Sequence, residues 1–439
     1  MLNNIQSSIE LFKNKKSYSN NASRYLPIGP DVPKDQNLNW PLVYKSIYEK
    51  VLGLELAIET TDQLFESILD DMSSQRKTRE LKNLVDEVYL NEASLSLFSP
   101  YLQLICNDKP KARTKTAISI FGSMLSGMEP ASIDFSGVNF VEELINNCIK
   151  NRCNENSGQI TDHSYLPFMA DLFKNDIKLL SSNANWLSED FSHFIELYTF
   201  LYLTQLSVHL GSINSRFTQP QSREVFFILE TEKASKERHE CNIKGYKSIL
   251  ANHNGLGLDV FSHLGYLELL SELPIWQLTN SNIPSQYIDN INELNELICS
   301  KFEIDFNGRR ASIEESINDG LYYHKQLFKK SSKTSTRSDA NDKIVTTFKD
   351  VFAKNFKSDR KSAGGWYFQL STKTALLITN LIIGKEKKLL IDDVIEGFRK
   401  RGIYFDLKTK RSLLKIYENI GNIEKLSDSG DAVYVKSTI

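Results

Sequence analysis

Cysteine is scarce in this chain. Its 439 residues hold only Cys106, Cys148, Cys153, Cys241 and Cys299, an odd and small set that excludes a disulfide-stapled scaffold. No G-x-x-x-x-G-K-[ST] sequence occurs, so a Walker-type phosphate loop is absent, and no H-E-x-x-H occurs, so the helical zinc-protease motif is absent too. Long apolar runs are also missing. The most apolar stretch, Phe194 to Leu210, is interrupted by Glu196, Gln205 and His209 and reads as a buried helix, with no membrane span expected. The opening MLNNIQSSIELFKNKK has no apolar core ahead of its basic residues and does not read as a secretory signal. A reducing, cytoplasmic setting is the expectation. No repeat of fixed period is visible.

What the chain does have is enough apolar matter for real cores: 41% hydrophobic and 10% aromatic residues. Its formal net charge of −2 conceals a split. From Lys329 to the end, 23 Lys+Arg face 13 Asp+Glu, a net of +10, and the preceding 328 residues carry −12. An acidic body joined to a basic tail points to nucleic acid or an acidic partner at one end.

The expected fold class is mainly α: a multi-helix N-terminal body followed by a C-terminal winged-helix-like module with a small β-hairpin. Residues 1–38, with Pro27, Pro30 and Pro33, read as an extended polar arm. Residues 39–328 form the acidic helical body, where Leu42, Val43, Ile47, Val51 and Leu54, or Ile288, Ile291, Leu294, Leu297 and Ile298, recur at helical spacing. The Val225–Leu229 run, VFFIL, is a buried strand or a helix start; periodicity does not decide. Residues 329–343, KKSSKTSTRSDANDK, read as a polar linker, and residues 344–439 as the basic module.

In that module Ser371 or Thr372 caps a first helix ending at Gly384. A second, IDDVIEGFRK, has Asp392 and Asp393 in its first turn and Arg399, Lys400 and Arg401 at its end, both in accord with the helix dipole. Asp406 caps a third, Leu407 to Asn419, that buries Leu413, Leu414, Ile416 and Tyr417. The closing IEKLSDSGDAVYVK reads as a hairpin. In DNA-binding proteins of this architecture the third helix meets the major groove. Arg399, Arg401, Lys408, Lys410, Arg411 and Lys415 are therefore the candidate nucleic-acid-binding residues. Asp428 and Asp431 at the hairpin tip oppose phosphate, and the third helix has no Asn or Gln before Asn419 to read adenine. A protein-docking module with a solvated basic face remains the other reading.

No constellation assigns catalysis, a metal or a cofactor. Asn254-Gly255-Leu256-Gly257 lacks a lysine and reads as a turn. Cys148 and Cys153, with His163 beyond, are too widely spaced for a structural zinc site, and Cys148 shares an apolar helical face with Val141, Leu144, Ile145 and Ile149. Glu303 and Asp305 alternate on a strand-like run beside Arg309 and Arg310, an ion-paired edge or a minimal metal site. Cys241 lies near His239 without an oxyanion hole in view. The other histidines are scattered, with His193 and His209 at the rim of the apolar helix.

GGWYFQLSTKTALLITNLIIG from Gly364, RGIYFD from Arg401, the ending EKLSDSGDAVYVKSTI, YLPIGP near Tyr25 and FFILETEKASKER from Phe226 together resemble the DptG component of DNA phosphorothioation-dependent restriction systems. The resemblance implies a bacterial antiviral defence role beside DptF- and DptH-like subunits, which are expected to supply nucleotide hydrolysis. It carries no catalytic residues onto this chain. The expectation is therefore a non-catalytic subunit of such a complex, a scaffold that contacts DNA through its C-terminal module. The alternatives are a metal-dependent nuclease with a diverged site around Glu303 and Asp305, or a winged-helix transcription regulator, for which the body shows no dimerising coiled coil.

Overall fold

The computed structural model describes residues 2–14, 18, 24–29, 38–56, 63, 66, 70, 83, 87, 100–106, 108–131, 133, 140–156, 164–213, 215–233, 235–251, 255–280, 284, 286–329, 335–358, 364–425 and 432–438. The chain is mainly helical and divides into two compact units. One comprises Gln36–Ser164 with Met169–Tyr198; the other comprises Met1–Asp35, Tyr165–Phe168 and Thr199–Ile439. No helix among the described residues is long and apolar enough to cross a membrane.

In the first unit, Asn39 caps the Trp40–Leu52 helix: its side chain accepts the Leu42 N–H at 3.2 Å. Gly53 ends that helix at φ 66°, where a Cβ would lie 2.5 Å from Pro130 Cγ. The chain then enters β1 (Leu54–Leu56), antiparallel to β2 (Cys153–Glu155). Aromatic rings fill the interior: Phe173 stacks on Phe194 at 5.4 Å, and Tyr48 meets Phe191 at 4.2 Å. The buried Tyr198 hydroxyl donates to Asp176.

The second unit has a helical part and a sheet part. Ile5, Ile9 and Phe12 of the Ile5–Lys13 helix are buried, as are Ile291, Leu294 and Ile298 of the neighbouring Gln286–Phe302 helix, which follows the spacing in the sequence. The Gly257–Leu270, Ile313–Gln326 and Ser335–Thr347 helices complete this layer. Some of its polar atoms pair inside: Tyr266 donates to Asn295 Oδ1 at 2.8 Å, and Asn295 Nδ2 donates to the Ser316 carbonyl at 2.8 Å, whereas His263 Nδ1, Asn318 Oδ1 and Asn341 Oδ1 are buried without a hydrogen-bond partner among the described residues. His324 is fully enclosed. Its Nδ1–H faces the Ser262 carbonyl at 2.6 Å, which leaves Nε2 to accept the Tyr18 hydroxyl at 2.8 Å. Burial lowers its pKa to about 4.

The Val225–Leu229 run is a strand, β3. It is the centre of a three-stranded parallel sheet with β4 (Phe368–Leu370) on one side and β6 (Ile403–Tyr404) on the other. Phe227 pairs with Phe368, and Val225 with Ile403. A five-residue apolar strand satisfies its backbone on both edges only by recruiting partners far along the chain. This changes the division read from composition. Strand β3 comes from the expected body and its two neighbours from the expected tail module, so residues 199–328 and 344–439 share one unit. Of the segment read as a linker, residues 330–334 lie outside the described residues, and residues 335–343 belong to the Ser335–Thr347 helix, where small polar residues mark a solvated helical face. FEIDFNGRR is likewise no strand. Glu303, at φ 55°, follows the Gln286–Phe302 helix into irregular chain.

Among the described residues after 364, the three expected helices are present, with short strands between them. Ser371 accepts from Thr374 N–H and starts the Thr372–Ile383 helix. Then come β5 (Lys388–Leu390), the Ile391–Lys400 helix, β6, the Leu407–Asn419 helix, β7 (Ile423–Lys425) and β8 (Val433–Lys436). Strand β8 lies between β5 and β7, antiparallel to both. The hairpin turn, with Asp428 and Asp431, falls outside the described residues.

Candidate nucleic-acid interface

The Leu407–Asn419 helix begins at Asp406, whose Oδ1 accepts the Thr409 N–H at 2.7 Å. The same carboxylate takes a two-pronged bond from Arg238, Nε to Oδ2 at 3.0 Å and Nη2 to Oδ1 at 2.7 Å. Arg238 Nη1 also donates to Glu232 Oε1 at 2.9 Å. Glu232 accepts from the Leu229 N–H at 2.8 Å, from Thr409 Oγ1 at 2.9 Å and from Ser412 Oγ at 3.1 Å. The end of β3 and the first two turns of the helix are thus joined by one ionic network, enclosed at Arg238, Glu232 and Thr409 and partly exposed at Asp406. Arg238 is 4% exposed and Thr409 fully buried.

The electrostatics are mutually consistent. Burial alone would raise the Asp406 carboxyl. The Thr409 N–H, the Arg238 guanidinium and the Cys241 thiol outweigh that effect and hold it below the usual value. Burial, the carboxylate and its hydrogen bond push Cys241 up to about 12. Its thiol donates to Asp406 Oδ2 at 3.2 Å, so it stays protonated and serves the network as a donor.

The six candidate cations have different fates. Lys408, Arg411 and Lys415 are exposed, and neither an ion pair nor a hydrogen bond joins their side chains to another described residue. At three and four residues apart they lie on one face. Lys410 is half-buried toward another side of the helix. Arg399 is half-buried, donates to Glu396 at 3.1 Å and lies 5.9 Å from the Tyr404 ring centroid. Arg401 is a correction: it is 4% exposed, and its guanidinium donates to the Gly397 carbonyl at 3.0 Å, so it caps the preceding helix inside the unit. Along the hairpin, Glu424 bonds to both Lys388 and Lys436, and these bonds lower its pKa to about 2.

Elsewhere Gly255 sits in a turn, where a Cβ would meet the Ile249 carbonyl oxygen at 2.6 Å. Asn254 and His163 fall outside the described residues. Cys148 is buried, and Cys153 Sγ donates to the Ile149 carbonyl at 3.3 Å. Glu303 and Asp305 are exposed; Arg309 pairs with Glu296 at 3.1 Å and Arg310 with Asp319 at 2.6 Å. Among the described residues no three His, Cys, Asp or Glu side chains gather as a metal site would require. Sequence reasoning found Asp406 as a cap but missed Arg238 and Glu232, because a charge-dense run such as EKASKERHE has the composition of a surface.

No protein-family model matches the chain, and no curated protein matches it.

Proposed function

We propose that this protein is a non-catalytic subunit of a DNA phosphorothioation-dependent restriction complex in the bacterial cytoplasm. It scaffolds DptF- and DptH-like subunits and contacts DNA through its C-terminal module. The subunit role rests on the resemblance in the sequence. The order of helix, strand, helix, strand, helix and hairpin among the described residues of 372–436, with β5 paired to β8 of the hairpin, supports a winged-helix reading of the module. One observation carries the contact with nucleic acid: Lys408, Arg411 and Lys415 share an exposed face without carboxylate partners among the described residues. Three cations held at one to two helical turns act as a polyvalent phosphate site. The test is a gel shift of the full-length protein on duplex DNA at low salt. Native protein retards the duplex, and the triple variant K408A/R411A/K415A does not. Equal retardation by both removes the proposed interface. Co-purification with the two ATPase-type subunits tests the scaffold.

A further inference from the structure

Resting on that reading, we infer that the interface takes double-helical nucleic acid by its phosphate backbone and is indifferent to base sequence. Three independent features lead there. The first is the mounting of the helix. With about 100° between successive residues, exposed Leu407, Lys408, Arg411, Lys415, Glu418 and Asn419 occupy an arc of roughly 120°. Lys410, Ser412 and Leu414 beside that arc are half-buried, and Thr409, Leu413, Ile416 and Tyr417 lie inside. A helix set flush in its unit presents a ridge of charge to a backbone and does not enter a groove far enough to bring side chains onto base edges.

The second is the N-terminal end, from which groove-reading helices make their base contacts. Here that end is committed. Asp406 occupies the Thr409 N–H, Arg238 bonds Asp406, and Glu232 bonds the Thr409 hydroxyl. Phosphate is therefore left to the side chains of Lys408, Arg411 and Lys415, which are exposed and take no part in the network.

The third is chemical. The exposed arc offers no aromatic ring. Single-stranded nucleic acid is held largely by stacking bases on aromatic side chains, a contribution this face does not make. Tyr404 is half-buried beside Phe226, and Tyr434 lies under the Lys388 ammonium at 4.8 Å. A regular array of phosphates is what remains for three cations on one ridge.

The experiment is fluorescence anisotropy of the full-length protein with three short duplexes, AT-rich, GC-rich and mixed, and one single strand of mixed sequence, at one low salt concentration. The inference predicts duplex affinities equal within about threefold, because reading even one base pair brings roughly 5- to 150-fold discrimination. It also predicts weaker binding of the single strand. The conservative double variant K408R/K415R retains binding of every duplex, since phosphate accepts either cation. A preference above tenfold for one duplex, or tighter binding of the single strand, overturns the inference while leaving the interface in place, provided K408A/R411A/K415A still abolishes binding. Binding that ignores the triple variant overturns the interface itself and this inference with it.

Discussion

Arg238 and Asp406 lie 168 positions apart in the chain and are joined by two parallel bonds of 3.0 and 2.7 Å. This pair fastens the loop after the central strand to the first turn of the cationic helix. The Arg238 side chain is 3% exposed and that of its second partner, Glu232, 4%, while Asp406 lies at the edge with 28% of its side chain exposed. Removing the arginine leaves the enclosed Glu232 carboxylate uncompensated beside the partly exposed Asp406. Arg238→Met is expected to destabilise the protein by about 3–5 kcal/mol, the range for breaking one side of a buried ionic network. A lower urea midpoint with an unchanged m-value would register this. A midpoint within experimental scatter of native would show that the network contributes nothing.

Close packing of the helical layer makes a second prediction. Gly320 lies in the middle of the Ile313–Gln326 helix, where alanine would ordinarily be favoured by about 1 kcal/mol. A Cβ at that point would fall on the Tyr266 hydroxyl and come within 2.5 Å of Asn295 Oδ1. Both atoms belong to an internal hydrogen bond and have nowhere to go. Overpacking should prevail, so Gly320→Ala is expected to lower stability by about 1–3 kcal/mol in chemical denaturation. A gain in stability would mean that the two helices part freely there.

Acid should loosen the same unit. Burial lowers His324 and His209 to about 4 and His263 well below its usual value, with neighbouring cations acting in the same direction. In the unfolded chain these imidazoles bind protons near pH 6.5. Between about pH 6.5 and 4 the unfolded state therefore holds more protons, and stability falls as pH falls. Each group contributes a slope of up to about 1.4 kcal/mol per pH unit, and the contribution is fully present above pH 6.5. Urea midpoints across that range should decline, and His324→Leu should decline less steeply than native. A native profile that is flat from pH 7 to 5 would contradict the neutral, buried state of these rings.

The hairpin yields a prediction of opposite sign. Glu424 bonds to Lys388 and Lys436 and, at a pKa of about 2, stays ionised at every ordinary pH. It therefore offsets part of the charge of the two lysines in the hairpin sheet. Glu424→Gln removes a negative charge and releases two lysines. Duplex binding is expected to tighten several-fold at low salt and to become more salt-sensitive. Weaker binding would indicate that the carboxylate orders the hairpin for contact.

Local chemistry made the C-terminal elements legible. Ser371 and Asp406 cap helices as their residue types imply, and Gly384 takes a positive φ of 62° where a helix was expected to end, as Gly402 and Gly421 do, at 80° and 76°, after the next two helices. The non-local features were hidden. Nothing in VFFIL names Phe368 and Ile403 as its strand partners, and so nothing joins body to tail before the fold is seen. Burial of single cations was equally illegible: Arg238 and Arg401 sit in charge-rich runs, yet each is 4% exposed because a carboxylate or a carbonyl waits for it inside. The polar segment from Ser335 misled for the opposite reason, since composition reports solvation and helices have solvated faces too.

The central claim is that Lys408, Arg411 and Lys415 bind phosphates, and salt dependence tests it most directly. Three neutralised duplex phosphates give a slope of log affinity against log salt of about −2.7, or roughly a 40-fold loss between 50 and 200 mM. The slope for native protein should exceed that for K408A/R411A/K415A by about this amount. Parallel lines for the two proteins would contradict the account.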